Sequence, residues 1–442
     1  MLSATPSRRS PVWAVLVALS LALTVFLPTP SALADEEFSG SLPNGTQWIA
    51  AVPDDWNGTV LLHSHGYLPS FVPFPNPAPT VGSIPAGSAL LDLGYALVAS
   101  SYADKGWALP TAPGDQLDSL EEAIEAIGAE PELVLAFGTS MGGLVTAMLA
   151  ESAGDVIDGA LTTCGIVGGG ADLNNYQLDG AHAVNQLLAD GNIQIAGYAS
   201  QGAAFAATAE LQAAVAGGQS TPEGQAQVAL AAALYQVQDP ADLAGAIGFV
   251  TPARYDLIQA AGGDSGWNEG VDYWNMFTKS PYRNDVAALY REAGLDLRAD
   301  LDLLTETADV SVDEAAVASM LGHSAPEGDL EVPVFSIHTV DDLIVPVEHE
   351  DEYAEDVRSE GKRSLFRQSF VDRAGHCNFT SGELVAAVEV LEDRVTTGRW
   401  DPAGANSRLL NQLAESFGLG ESAFIHFKPG EFIADRSDSL SP

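Results

Sequence analysis

Cysteine and positive charge are what this chain of 442 residues has least of. Only Cys164 and Cys377 occur, too few for a cysteine-based zinc site, which needs several clustered thiolates. Lys and Arg number 18 against 60 Asp and Glu, for a formal charge of −42. A surface of that sign repels nucleic acid phosphates and anionic lipid headgroups, which excludes the basic-patch function classes. The acids are spread without long blocks, as on a solvated surface, and adaptation to a salty host is compatible with the same composition. Long apolar runs are also missing: only Val12–Leu27 is extended, it falls short of the ~20 residues a membrane span needs, and no later run is as long.

That one run has a leader's layout. Arg8 and Arg9 precede it and the small residues Ala32-Leu33-Ala34 close it, so residues 1–34 read as a secretory signal peptide. Pro11 and Val12 stand where a twin-arginine signal prefers a bulky apolar pair, which favours general secretion. Without Arg8 and Arg9, 16 of the 18 basic residues remain against 60 acidic ones, a charge of −44. Two cysteines in an exported chain predict a single disulfide, Cys164 to Cys377.

Short apolar runs then alternate with helical patterns: Trp48–Val52, Thr59–Leu62, Tyr95–Ser100, Leu133–Phe137 and Ala160–Thr163. This alternation predicts an α/β fold with a mostly parallel central sheet flanked by helices. Leu117, Leu120, Ile124 and Ile127 fall at helical spacing between the third and fourth runs, as a crossover helix requires. The rhythm stops over residues 165–331, which are Ala- and Gln-rich with breaks at Gly217-Gly218, Pro222 and Gly262-Gly263, and resumes at Val332–Ile337 and Leu365–Val371. A segment that long is no loop and must pack its own helices, so it is expected to be a helical cap over the strand ends. The expected organisation is thus a core over residues 35–164 and 332–400, the cap at 165–331 and a tail over 401–442 packed on the core.

Gly138-Thr139-Ser140-Met141-Gly142 lies where the run Leu133–Phe137 meets the helical stretch Gly143–Leu149. A strand turning abruptly into a helix holds its central serine in strained backbone geometry and tolerates little beyond glycine on either side, so the pentapeptide reads as a nucleophile elbow. The plain alternative is a tight turn with an ordinary serine. A serine hydroxyl needs a base and an acid that orients it, in the order Ser, acid, His for an elbow of this kind.

His376 follows the run Leu365–Val371 within Ala374-Gly375-His376-Cys377-Asn378, where glycine permits the sharp loop that presents an imidazole. His349 lies in the acidic run Val347-Glu348-His349-Glu350-Asp351 and reads as a solvated surface residue, and His426 reads as structural. The acid should follow Val332–Ile337, where Asp341 and Asp342 stand side by side. Asp342, four residues before Pro346, is preferred, with Asp341 the alternative. For the oxyanion, the backbone N–H of Met141 and of Tyr67, after His65-Gly66, are the expected donors. His63 and His65 lack a third clustered ligand and read as structural rather than metal-binding.

In His65-Gly66-Tyr67, Ser140, Asp342 before Val345-Pro346, and Gly375-His376, taken in order, the chain resembles the α/β-hydrolase superfamily. The resemblance spans Trp48–Trp400 and implies that fold, with a mainly helical cap inserted after the strand that follows the nucleophile helix. A cysteine beside the histidine is also similar to the tannase and feruloyl esterase group, although there the partner cysteine flanks the nucleophile, a position held here by Thr139.

These readings imply a secreted serine esterase acting on a small-molecule or polymer ester through an acyl-enzyme, with no metal or organic cofactor. Trp267, Tyr273, Trp274, Met276 and Phe277 form the cap's densest aromatic cluster and are either its substrate pocket or its core. A prolyl- or aminopeptidase-like enzyme, with Glu269 or Asp272 taking a substrate amine, an acyltransferase and a non-catalytic binding protein are the rivals.

Overall fold

The computed structural model describes residues 36–73 and 75–436. The expected leader, residues 1–34, lies outside the described residues. Nine strands, β1 (Glu36–Ser41), β2 (Gln47–Val52), β3 (Thr59–Ser64), β4 (Ala96–Ser100), β5 (Leu133–Thr139), β6 (Gly159–Thr163), β7 (Val334–Asp341), β8 (Phe366–Ala374) and β9 (Phe424–Ile425), form one sheet. Its order is β1-β2-β4-β3-β5-β6-β7-β8-β9, parallel from β4 through β8, with β1, β2 and β9 antiparallel at the two edges.

Helices α1 (Gly87–Asp92), α2 (Ala112–Ile127) and α3 (Met141–Ser152) connect the early strands. Between β6 and β7 come eight helices in succession: α4 (Gly170–Leu188), α5 (Gln201–Gly218), α6 (Pro222–Leu234), α7 (Leu243–Ala261), α8 (Tyr273–Lys279), α9 (Arg283–Ala293), α10 (Leu297–Glu306) and α11 (Glu314–Ser324). The last three are α12 (His349–Ser359), α13 (Ser381–Thr397) and α14 (Ser407–Ser416).

Side chains alternate across the pleat, so each central strand feeds two cores. Val60, Leu62, Val134 and Ala136 face the core shared with α2 and α3, whereas Leu61, Leu135 and Phe137 face the one shared with α13. Fully buried strands read as continuous apolar runs rather than alternating ones. That is why the sequence marks β3 to β6 clearly and misses the half-exposed edge strand β1.

Helix ends follow the local chemistry. Gly128 and Gly398 close α2 and α13 in the left-handed region, at φ 70° in both, where glycine pays no Cβ penalty. Thr380 and Glu383 form a reciprocal capping box at the start of α13. The expected breaks fall at real ends: Gly218 ends α5, Pro222 opens α6 with Thr221 accepting from the Gly224 N–H, and Gly262 closes α7. Within the insertion α4 packs on α6 and α5 on α7, and its apolar residues join the core of α2 and α3.

Candidate active site

Ser140 sits between β5 and α3 at φ 59°, ψ −121°, a conformation that side-chain-bearing residues rarely adopt and that persists only where the surroundings over-determine it. The surroundings do so here. A Cβ at Gly138 would stand 2.0 Å from the Gly142 carbonyl oxygen, and a Cβ at Gly142 would stand 2.0 Å from the Ser64 carbonyl oxygen. The Ser140 N–H donates to the Thr163 carbonyl oxygen at 2.9 Å, tying the turn to β6.

Three residues far apart in sequence meet at this turn. The Ser140 hydroxyl donates to His376 Nε2 at 2.8 Å, and His376 Nδ1–H donates to Asp342 Oδ2 at 2.6 Å. The Asp342 Oδ1 atom accepts the N–H groups of Ile344 at 2.9 Å and Val345 at 3.0 Å, so both carboxylate oxygens are held. Asp342 is buried; burial alone would raise its pKa, but His376, then His338, hold the carboxyl well below the usual carboxylate range.

Asp341 is placed differently. β7 and β8 shift register between Thr339 and Asp341, the Asp341 carbonyl accepts the Gly375 N–H at 2.8 Å, and its side chain carries a raised pKa from burial and the nearby Asp242, Asp239 and Asp342. Of the two adjacent aspartates, Asp342 is the one brought to His376.

Behind Asp342 lies a residue that sequence reasoning missed. His338 is fully buried, with Nδ1–H donating to Glu350 Oε1 at 3.1 Å, Nε2–H donating to the Val345 carbonyl at 3.1 Å, and Asp342 Oδ2 at 3.5 Å from Nε2. Burial alone would lower its pKa, but the Asp342 and Glu350 carboxylates outweigh that and push it up to about 10. His338 is therefore a buried imidazolium at neutral pH. Ser336 Oγ at 2.7 Å and Gln368 Nε2 at 2.7 Å donate to the Glu350 carboxylate. The signal was present as His338 ending the apolar part of β7, but its partner stands on α12.

The reading of His349 is corrected. It is not a solvated surface residue but fully buried at the start of α12, where its Nδ1 accepts the Gly168 N–H at 3.1 Å and its ring lies 4.6 Å from that of Phe432. Burial, then the charge on His338, lowers its pKa to about 3. His426 is exposed. His63 is buried against Phe137, and burial, then His65, lowers its pKa to about 3. His65 stacks on Tyr102 at 4.1 Å, and neither joins a group of potential metal donors among the described residues.

Met141 opens α3, so its N–H is one of the amides for which the helix supplies no acceptor. The loop carrying Tyr67 lies against the serine: a Cβ at Gly66 would stand 3.2 Å from Ser140 Cβ. Gln116 braces this loop by donating to the His63 carbonyl at 2.7 Å and Ser64 Oγ at 2.6 Å, and the Tyr102 hydroxyl donates to the His65 carbonyl at 2.9 Å. The helical insertion clamps the same loops. The Tyr67 and Ser70 hydroxyls donate to the Asp256 carboxylate on α7, and the Tyr176 hydroxyl on α4 donates to the Ile344 carbonyl. Cys164, after β6, is disulfide-bonded to Cys377, with Cα atoms 5.3 Å apart, which fixes the loop beside His376 as the sequence predicts.

Beside Ser140 is a narrow cavity of about 30 Å³, walled by Tyr67, Trp107, Ile166, Leu173, Gln177, Phe249 and Val345 among others. The expected aromatic cluster is not there. Trp267, Tyr273, Met276 and Phe277 are buried in the insertion and Trp274 is exposed, so they are core rather than pocket. Glu269 and Asp272 are exposed and do not line the cavity, and Asp272 accepts the Asn275 N–H as the cap of α8. The carboxylates of Asp172, Glu352 and Asp435 come within 4.8 Å of one another on α4, α12 and the tail.

No family model matches the chain. A curated relative, o-phthalyl amidase of Xanthobacter agilis, is 28% identical over an alignment of 453 positions that covers 91% of this chain and 96% of the relative. Among solved structures, feruloyl esterase B of Aspergillus oryzae aligns with a TM-score of 0.39 at 12% identity over 82% of this chain and 80% of that one. Acylaminoacyl peptidase of Pyrococcus horikoshii aligns with a TM-score of 0.35 at 11% identity, over 77% of this chain but only 37% of that longer one. With its parallel strands ordered β4-β3-β5-β6-β7-β8, an antiparallel edge before them and a strained serine turn between β5 and α3, the chain has the α/β-hydrolase fold.

Proposed function

We propose that the protein is a secreted serine hydrolase that cleaves carboxylic esters through an acyl-enzyme. The observation that carries this reading is the hydrogen-bonded run from Ser140 through His376 to Asp342, set at a turn of strained geometry. Ser140 Oγ bonds to the carbonyl carbon as its proton passes to His376 Nε2, and the carbonyl electron pair moves to an oxyanion held by the Met141 and Tyr67 N–H groups. The oxyanion collapses, the bond to the leaving group breaks, and His376 returns the proton to it. Water then repeats the sequence on the acyl-enzyme, and acid is released. Asp342 holds the imidazole in the required tautomer and offsets its transient charge. The route needs these side chains, two backbone N–H groups and water, and calls on no metal or organic cofactor.

A second reading, cleavage of an amide by the same residues, is favoured by the name of the relative that matches over 91% of the chain. Turnover of p-nitrophenyl esters against anilides and a phthalyl amide separates the two. Esters alone support the first reading, efficient amide cleavage supports the second, and activity that survives Ser140→Ala contradicts both. Export rests on residues 1–34 and the disulfide, and predicts a mature N-terminus at Asp35 by N-terminal sequencing. Among the described residues no helix is long and apolar enough to cross a membrane.

A further inference from the structure

The cavity beside Ser140 contains one polar group without a use. Gln177, on α4, is 3% exposed, and its Oε1 atom is buried with no hydrogen-bond partner. The other polar atoms on its aromatic walls are committed: Trp107 Nε1 donates to Ser324 Oγ at 2.9 Å and the Tyr67 hydroxyl donates to Asp256. Leu173, Val250 and Leu257 complete an apolar surround.

The neighbouring Tyr176 hydroxyl donates to the Ile344 carbonyl and has no second proton to give Gln177. Gln177 Oε1 therefore stays an unpaired acceptor on a residue that lines the cavity. A buried acceptor without a partner is costly and invites a donor from a ligand. The cavity is narrow, so the donor has to arrive on a short group.

We propose that Gln177 Oε1 is a specificity determinant that receives an O–H or N–H donor on a short acyl group held on Ser140. The acyl group stays bonded to Ser140 until water attacks, whereas the leaving group has to reach solvent, and a largely buried cavity suits the part that stays. The substrate class is therefore esters or amides of short hydroxy or amido acids rather than of plain fatty acids. This rests on Ser140 being the nucleophile.

The test uses two p-nitrophenyl esters of matched shape, the glycolate and the propionate, which differ by a hydroxyl in place of a methyl group. The ratio of their kcat/KM values, divided by the ratio of their hydroxide-catalysed rates, removes intrinsic reactivity. We expect that corrected ratio to favour the glycolate in the wild type and to fall about tenfold in Gln177→Met and Gln177→Leu, while Gln177→Glu, which keeps an acceptor, retains it. An unchanged ratio in active Gln177→Met or Gln177→Leu overturns the inference. If neither variant folds, a wild-type ratio no higher than the hydroxide ratio overturns it equally. Fluorophosphonate labelling of Ser140 keeps the two levels apart. A labelled enzyme that prefers the propionate loses only this inference, whereas an enzyme with no label on Ser140 loses the hydrolase reading itself.

Discussion

The two faces of α12 make opposite use of the same residue types. On one side Glu350 is buried against the imidazolium of His338, whose other partner is Asp342, and each charge meets an opposite one within hydrogen-bond reach. On the other side Glu352 and Asp356 look toward Asp172 and Asp435, where acids outnumber the one nearby guanidinium that acts on Asp172, Arg436. Burial, then like charge, pushes the Asp172 and Glu352 carboxyls up to about 8 and Asp356 up to about 7. Burial is thus common to both faces and does not set the ionisation state by itself. The balance of neighbouring charge does: opposite charges prevail around His338, whereas like charges and burial outweigh Arg436 around Asp172. His349 sharpens the point, since it is as buried as His338 but has no carboxylate partner and stays neutral.

Removing the cation breaks the comparison most severely. His338→Leu leaves Glu350 and Asp342 buried with their shared charge gone, and a loss of about 3–5 kcal/mol is expected in urea unfolding, together with an acid limb of kcat/KM displaced to higher pH. Reducing the disulfide frees the His376 end of the same network. It is expected to cost about 2–4 kcal/mol and to lower activity and melting temperature together; full activity with unchanged melting after verified reduction contradicts this.

The pH response of each face has a definite window. His338 is raised from 6.5 to about 10, so between those values the unfolded chain has lost a proton that the folded protein keeps. Its contribution is complete below pH 6.5 and disappears as pH rises through about 10. The difference in unfolding free energy between wild type and His338→Gln should shrink across that window. The smallest effect belongs to the other face. Glu352 is raised from 4.5 to about 8, so its ionisation destabilises the fold as pH climbs between those values. Glu352→Gln should raise the melting temperature slightly at pH 8 and leave it unchanged at pH 5, and a loss at pH 8 would mean that the carboxylate is paired after all.

What the sequence made legible was what local sterics dictate. The Gly138 to Gly142 turn between β5 and α3 and the sharp loop at Gly375 each depend on neighbours within a few residues. Choosing Asp342 over Asp341 depends on a register shift between β7 and β8, a tertiary feature that proline spacing only echoes. His349 was misread because acids flank it on both sides, although α12 turns it inward beneath Phe432. The cavity was missed for the same reason. Trp107, the α4 pair Leu173 and Gln177, and Phe249 on α7 come from three separate segments, and no periodicity in one segment records where another will lie. An aromatic cluster in sequence marked the core of the insertion instead.

The central claim is that Ser140 is activated by His376 and Asp342. Its most direct measurement is the rate and site of fluorophosphonate modification, mapped by mass spectrometry of the digested protein. The account predicts a single adduct on the peptide carrying Ser140, absent in Ser140→Ala and slowed by orders of magnitude in His376→Ala. Modification at another residue, or a His376→Ala variant labelled as fast as the wild type, would contradict it.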